Sequence, residues 1–207
     1  MKIDGIHEAM HKCILFVLAL ANAAKQRPWL GPNNMVSGSP PSPRGYTPLA
    51  RYGEEIYLFG GYNAADSNDI FKFDAENLSW TDLTTYVRGD APRIRDSHGL
   101  GQFNETLFVF GGWSGIVGLN DLHTLDLASL TWFDVTASIR GAPPLPRYGM
   151  GFTLCRNIFF GFGGFNSQGI PLGDYFFLDP VALEWGNATE VRGASPSARG
   201  YLGMAEA

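Results

Sequence analysis

Charge is scarce in this 207-residue chain: 17% of it is Asp, Glu, Lys or Arg, with 15 basic side chains against 20 acidic ones. No run of Lys or Arg occurs, and a formal charge of -5 offers no basic footprint for a nucleic-acid backbone or an anionic membrane surface. Histidines number 4 and cysteines 2, and neither His98 nor His123 has another His or Cys at metal-ligand spacing, so no metal site is expected. His98 and His123 stand singly in strand-like contexts and read as packed or surface histidines. The one uncharged apolar run, residues 13–20, is shorter than the roughly 20 residues of a transmembrane helix. Helical periodicity is missing after it. Glycine doublets follow apolar runs without opening a helix or carrying the lysine of a phosphate loop. No G-x-S-x-G nucleophile elbow occurs, and no carboxylate pair is set apart for acid and base work. No catalytic residue and no cofactor is expected.

What is present is a repeat. Glycine pairs at Gly60-Gly61, Gly111-Gly112 and Gly163-Gly164 return about every 52 residues, and the surrounding residues keep the same step. Arg44, Arg95, Arg147 and Arg199 recur, each 16 residues before a glycine pair where that pair exists. Asp69, Asp121 and Asp174 open strand-like runs that end in Asp74, Asp126 and Asp179, and Trp80, Trp132 and Trp185 follow 6 residues later. Gly89, Gly141 and Gly193, with Pro92, Pro143 and Pro196 after them, mark the passage to the next copy.

Each copy reads as four short strands. In the second, one starts at Arg95 and runs to Leu100, one spans Thr106 to Phe110, one spans Asp121 to Asp126, and one begins at Trp132. Tandem four-stranded units of about 50 residues form the blades of a β-propeller. The order arginine, aromatic strand ending Gly-Gly, Asn-Asp or Gly-Asp, strand ending in Asp, then Trp resembles the kelch repeat over Arg44 to Ala198. Two departures stand in copy three, where Gly161 interrupts the second strand and Gly173 replaces the Asn68 and Asn120 of the other copies. The fold class expected is all-β, a partial kelch-type propeller of four-stranded antiparallel blades behind an N-terminal hydrophobic segment.

The resulting partition is a signal peptide over 1–24, a lone outer strand and loop of an incomplete blade over 29–43, repeats over 44–94, 95–146 and 147–198, and the start of a fourth repeat over 199–207. Trp29, Val36 and Gly38 carry the register of a fourth strand and exit loop. Propellers remove sheet edges by closing a ring of four to eight blades, so three blades and two stray strands imply a piece of a longer propeller.

Residues 13–20 followed by Ala21-Asn22-Ala23 have the form of a secretory leader and its cleavage site, although Asp4 and Glu8 offset Lys2 and Lys12 ahead of it. Cleavage would remove Cys13 and leave Cys155 without a disulfide framework. Asn77, Asn104 and Asn187 head glycosylation sequons at expected turns or strand ends. These features point to the secretory pathway, with the cytoplasm as the alternative. Arg88-Gly89-Asp90 spells an adhesion tripeptide, but Arg140-Gly141-Ala142 and Arg192-Gly193-Ala194 show it to be first a loop of the repeat.

The kelch resemblance implies a protein-binding face formed by the loops after each glycine pair and those entering each first strand. Here these are Tyr62 and Asn63, Trp113 and Ser114, Phe165 and Asn166, with Tyr46, Asp96, Ser97 and Tyr148 at the strand starts. Phe165 is equally readable as packing between blades. The repeated arginines and tryptophans are expected to make blade-to-blade contacts. The function expected is non-catalytic binding of a protein partner. Alternatives are part of an enzyme resembling galactose oxidase, for whose two-His, two-Tyr copper site the histidines are too few, and a fragment of a ubiquitin-ligase substrate adaptor, although no BTB domain precedes the repeats. Extracellular attractin-like proteins are a looser analogy.

Overall fold

A computed structural model describes residues 36–187 and 193–205. Those residues are all-β, with three sheets side by side as the blades of a propeller that do not close into a ring. The signal-peptide segment 1–24, Trp29 of the 29–43 segment, and the Ala188-Thr189 half of the Asn187 sequon lie outside the described residues.

Blade one contains β1 (Ser37–Gly38), β2 (Leu49–Tyr52), β3 (Glu55–Tyr62), β4 (Asp66–Asp74) and β5 (Ser79–Asp82), in the order β1-β5-β4-β3-β2. Blade two repeats it with β6 (Arg88–Gly89), β7 (Gly99–Phe103), β8 (Thr106–Trp113), β9 (Gly118–Asp126) and β10 (Thr131–Asp134). Blade three has β11 (Gly151–Cys155), β12 (Ile158–Phe162), β13 (Tyr175–Asp179) and β14 (Glu184–Asn187). Each hairpin between the third and fourth strands turns on its aspartate: Asp74, Asp126 and Asp179 each accept a hydrogen bond from a backbone N–H three residues on.

To the four antiparallel strands of the repeat, blades one and two add a fifth, short and parallel, taken from the chain that enters the blade. Ser37 and Gly38 pair with Ser79 and Trp80, and Arg88 and Gly89 pair with Thr131 and Trp132. Arg140 makes the equivalent bridge to Glu184 in blade three. The glycine of this segment is therefore a packing requirement. A Cβ on Gly38, Gly89 or Gly141 would overlap the carbonyl of Trp80, Trp132 or Trp185, and all three have positive φ. The Arg88-Gly89-Asp90 tripeptide is tied down in the same way, with the Asp90 N–H donating to the Trp132 carbonyl at 3.1 Å.

Two boundaries differ from the sequence reading. The first strand of copy two begins at Gly99 and not at Arg95, because Ser97 takes a positive φ of 51° and the Arg95 side chain turns back into its own blade. Gly161 does not interrupt β12. It pairs with Phe152 and Phe176, and its missing side chain leaves room for the Phe176 ring.

The core lies between blades. One cluster joins Phe59 and Ile70 of blade one to Leu107, Val109, Leu125 and Trp132 of blade two. Another joins Phe108, Phe110 and Leu122 to Phe159, Phe176 and Trp185 of blade three. Trp132 packs on Phe59 with ring centroids 5.1 Å apart, and Trp185 on Phe110 at 4.6 Å, so these two of the three repeated tryptophans make the expected blade-to-blade contacts. Trp80 packs within its own blade, against Phe73 at 4.9 Å.

Candidate functional site

The repeated arginines position the loops of one face. The Arg95 N–H donates to the Ser67 carbonyl, and its own carbonyl accepts from Gly61, both in blade one. Its side chain then reaches into blade two, donating to the Gly111 carbonyl at 2.8 Å and to both Asp121 oxygens at 2.8 and 2.7 Å. Arg147 does the same one blade on, from Leu119 and Gly112 to Gly163 and both oxygens of Asp174. Arg44 pairs Gly60 and Asp69. Arg95 and Arg147 thus carry the blade contact on their main chains and lock their own glycine-pair loops with their guanidiniums, while Arg44 does only the second. Burial alone would raise the Asp121 and Asp174 carboxyls, but the arginine bonds outweigh it and hold both well below the usual carboxylate range; His123 adds to this at Asp121.

Two residues past each arginine stands a left-handed residue: Tyr46, Ser97, Gly149 and Tyr201 have φ of 56°, 51°, 66° and 52°. A single line of backbone bonds joins them, with Ser97 donating to Tyr46, Gly149 to Ser97 and Tyr201 to Gly149, each at 2.7 Å. The residue one past the arginine pairs with the residue after the glycine pair: Gly45 with Tyr62, Asp96 with Trp113 and Tyr148 with Phe165. Non-glycine residues at positive φ are strained, and of these Tyr46 and Tyr201 bring their rings to a common space.

That space is an open cavity of about 490 Å³ lined by Tyr46, Tyr62, Ala64, Ala65, Asp66, Asp96, Trp113, Gly115, Tyr148 and Tyr201. Tyr46 and Tyr201 approach with ring centroids 5.6 Å apart, and Trp113 and Tyr148 at 5.0 Å. Asp96 is buried beside Asp66. Burial, reinforced by the Asp66 carboxylate and opposed by the Ser97 hydroxyl, pushes its carboxyl up to about 6. The Ser97 hydroxyl, 7% exposed, faces the Asp96 carboxylate and the Tyr201 hydroxyl without a hydrogen bond of good geometry to either. Exposed apolar side chains continue outward from the cavity on the loop tips, at Ile116, Val117 and Ile170.

Residues 10–206 match the family described as the KLHDC2/KLHL20/DRC7 Kelch-repeats domain. The chain belongs to the kelch-repeat family. Among curated proteins it is 32% identical over 171 residues to acyl-CoA-binding domain-containing protein 4 of Arabidopsis thaliana, covering 81% of this chain and 25% of that protein. It is 29% identical over 187 residues to Kelch domain-containing protein 3 of Homo sapiens, covering 83% of this chain and 46% of that one. It is 34% identical over 154 residues to host cell factor of Drosophila melanogaster, covering 64% of this chain and 10% of that protein. The chain spans less than half the length of each of these relatives.

Of the residues that the kelch resemblance assigned to the binding face, the structure brings Tyr46, Tyr62, Asp96, Trp113 and Tyr148 around the cavity. Asn63, Ser114 and Asn166 do not line it and instead shape their loops; the Ser114 Oγ accepts from the Val117 N–H at 3.3 Å and the Asn166 Oδ1 accepts from Gln168 and Ile170. Ser97 does not line it and is buried beside Asp96. Phe165 packs behind it, between Tyr148 and Tyr201 at 5.6 and 5.4 Å, which is the interblade role. Ala64, Ala65, Asp66, Gly115 and Tyr201 were missed by sequence reasoning. Tyr201 could have been found, since it falls two past Arg199 as Tyr46 falls two past Arg44.

Two buried histidines stand apart from this face. His98 packs edge-on against Phe59, both ring nitrogens unpartnered, and burial followed by the Arg95 charge pushes it down to about 3, so it is neutral. His123 contacts the Asp121 carboxylate at 3.2 Å and the Asp90 carbonyl at 3.1 Å. Among the described residues no group of three or more His, Cys, Asp or Glu converges to hold a metal ion, and no helix is long and apolar enough to cross a membrane.

Proposed function

We propose that this chain is a non-catalytic interaction module that docks a protein partner on the face formed by its glycine-pair and strand-entry loops. The observation that carries the reading is the concentration there of exposed or half-buried aromatics, Tyr46, Tyr62, Trp113, Tyr148 and Tyr201, around one open cavity on a rigid frame. Aromatics with a polar handle suit interface anchors, and loops of unequal length on a regular scaffold supply specificity. The test is quantitative affinity capture by the wild-type chain, by a Tyr62→Ala/Trp113→Ala double variant, and by Val181→Ser, a change at the opposite end of the strands. Partners lost only in the double variant support the reading; identical sets for all three chains overturn it.

A secretory location belongs to the same proposal. Its support is the apolar segment 13–20 and the sequons at Asn77 and Asn104, both exposed on turns. A glycosidase-sensitive mass shift in the chain made in secretory cells, lost in Asn77→Gln/Asn104→Gln/Asn187→Gln, is the outcome this predicts; an unshifted cytosolic product contradicts it.

A further inference from the structure

We propose that the cavity receives an arginine side chain of the partner, its guanidinium set at the Asp66 and Asp96 carboxylates and its flat face against the aromatic wall. This rests on the reading of the face as a docking surface and names the group it captures. Three observations carry it.

First, the two acids lie outside the repeat. The positions matching Asp96 in the other copies are Gly45, Tyr148 and Gly200, and those matching Asp66 are Gly118 and Pro171. A residue present in one copy does not serve the scaffold that all copies share. Asp69, Asp121 and Asp174, which do repeat, each hold an arginine of their own blade.

Second, the cavity's charge is of one sign. Its lining holds two carboxylates and five aromatic rings and no Lys, Arg or His. The nearby Arg44, Arg95 and Arg147 are engaged by Asp69, Asp121 and Asp174, and among the described residues neither Asp66 nor Asp96 forms an ion pair. Electron-rich ring faces and unneutralised carboxylates share a preference for a cation.

Third, the Ser97 hydroxyl is more than nine-tenths buried and makes no hydrogen bond of good geometry, with the Asp96 carboxylate and the Tyr201 hydroxyl as its polar neighbours. Beside the Asp96 carboxylate it has hydrogen-bonding capacity left over, which a donor from a ligand reaching that carboxylate would fill. A guanidinium fits all three features better than an ammonium. It is planar, carries five donors, reaches two carboxylates together and stacks on aromatic faces with less hydration to lose.

The test is calorimetric titration of the full chain with Ac-Gly-Gly-Arg-Gly-Gly-NH2 and with its citrulline counterpart, which keeps shape and loses charge. The expected result is at least about tenfold tighter binding of the arginine peptide, falling below about twofold in Asp66→Asn/Asp96→Asn. Trp113→Ala, which leaves both acids in place, is expected to weaken the arginine peptide as well, so the inference stays testable if the double variant misfolds. Equal affinities, or an arginine preference that survives the double variant, overturn it. Equal binding of both peptides that is lost in Trp113→Ala overturns the arginine assignment alone and leaves the docking face standing. Failure of both peptides to bind overturns the arginine assignment, while the docking face is judged by its own capture experiment.

Discussion

Arg95 grips both carboxylate oxygens of Asp121 at 2.8 and 2.7 Å inside blade two while its main chain is bonded to Ser67 and Gly61 of blade one. One residue therefore fixes both the seam between blades and the loop that carries Trp113. Removing the guanidinium leaves Asp121 short of a partner in a partly buried place. Arg95→Met is expected to cost about 3 to 5 kcal/mol in urea unfolding. A cost below about 1 kcal/mol would show that the latch is ornamental to stability.

The tryptophans are repeated but not equivalent. Trp132 is 1% exposed and wedged on Phe59 of the preceding blade, whereas Trp80 is half-buried and touches Phe73 of its own. Trp132→Ala is expected to cost about 3 to 5 kcal/mol and Trp80→Ala clearly less. Equal losses in denaturant midpoints would contradict the interblade role of Trp132.

Gly89 and Gly53 both have positive φ, 82° and 60°, but only Gly89 faces a carbonyl, that of Trp132; nothing lies near a Cβ on Gly53. Gly53→Ala is expected to cost about 1 kcal/mol from backbone strain alone. Gly89→Ala is expected to cost more and to open the outer parallel strand, seen as faster amide exchange at Asp90, whose N–H bonds the Trp132 carbonyl. Similar costs for the two would show that the outer strand adjusts without loss.

Asp96 supplies a pH dependence of opposite sign to the latch aspartates. Its carboxyl stands near 6 when folded against about 3.9 unfolded, so between those values the folded chain binds a proton that the unfolded chain does not. Stability therefore rises as pH falls through 6. Asp121 and Asp174, held low, contribute stability that is present above about pH 4 and lost as pH falls further. His98, held down to about 3, acts with the opposite sign and loses stability as pH falls below about 6.5, so the Asp96 contribution is read from the difference between wild type and Asp96→Asn and not from the wild-type optimum. Asp96→Asn is expected to be more stable than wild type at pH 7, by on the order of 1 to 2 kcal/mol, with the difference gone near pH 4. A neutral variant that is less stable at pH 7 would contradict this account of the site.

The blades were legible because repetition constrains the sequence at every seam: glycine pair, aspartate, tryptophan and arginine each return in step. The outer parallel strand was not legible. It is two residues long, and its only mark is Gly89 and its equivalents, whose reason lies in a carbonyl more than 40 residues away in sequence. The cavity was half legible. Tyr46, Tyr62, Trp113, Asp96 and Tyr148 sit at positions that the repeat defines, but Asp66, Ala64 and Ala65 come from a loop whose path depends on the bulge between Phe59 and Gly61. Phe165 occupies a site-like position and is taken up by Tyr148 and Tyr201, a contact that no spacing reveals.

The most direct test of the docking face is site-resolved photocrosslinking, with a photoreactive side chain at Tyr62 beside the cavity or at Val181 in the hairpin at the far end of the strands. The account predicts a discrete protein adduct from Tyr62 that Trp113→Ala abolishes, and none from Val181. Adducts from Val181 alone, or from Tyr62 without regard to Trp113, would contradict it.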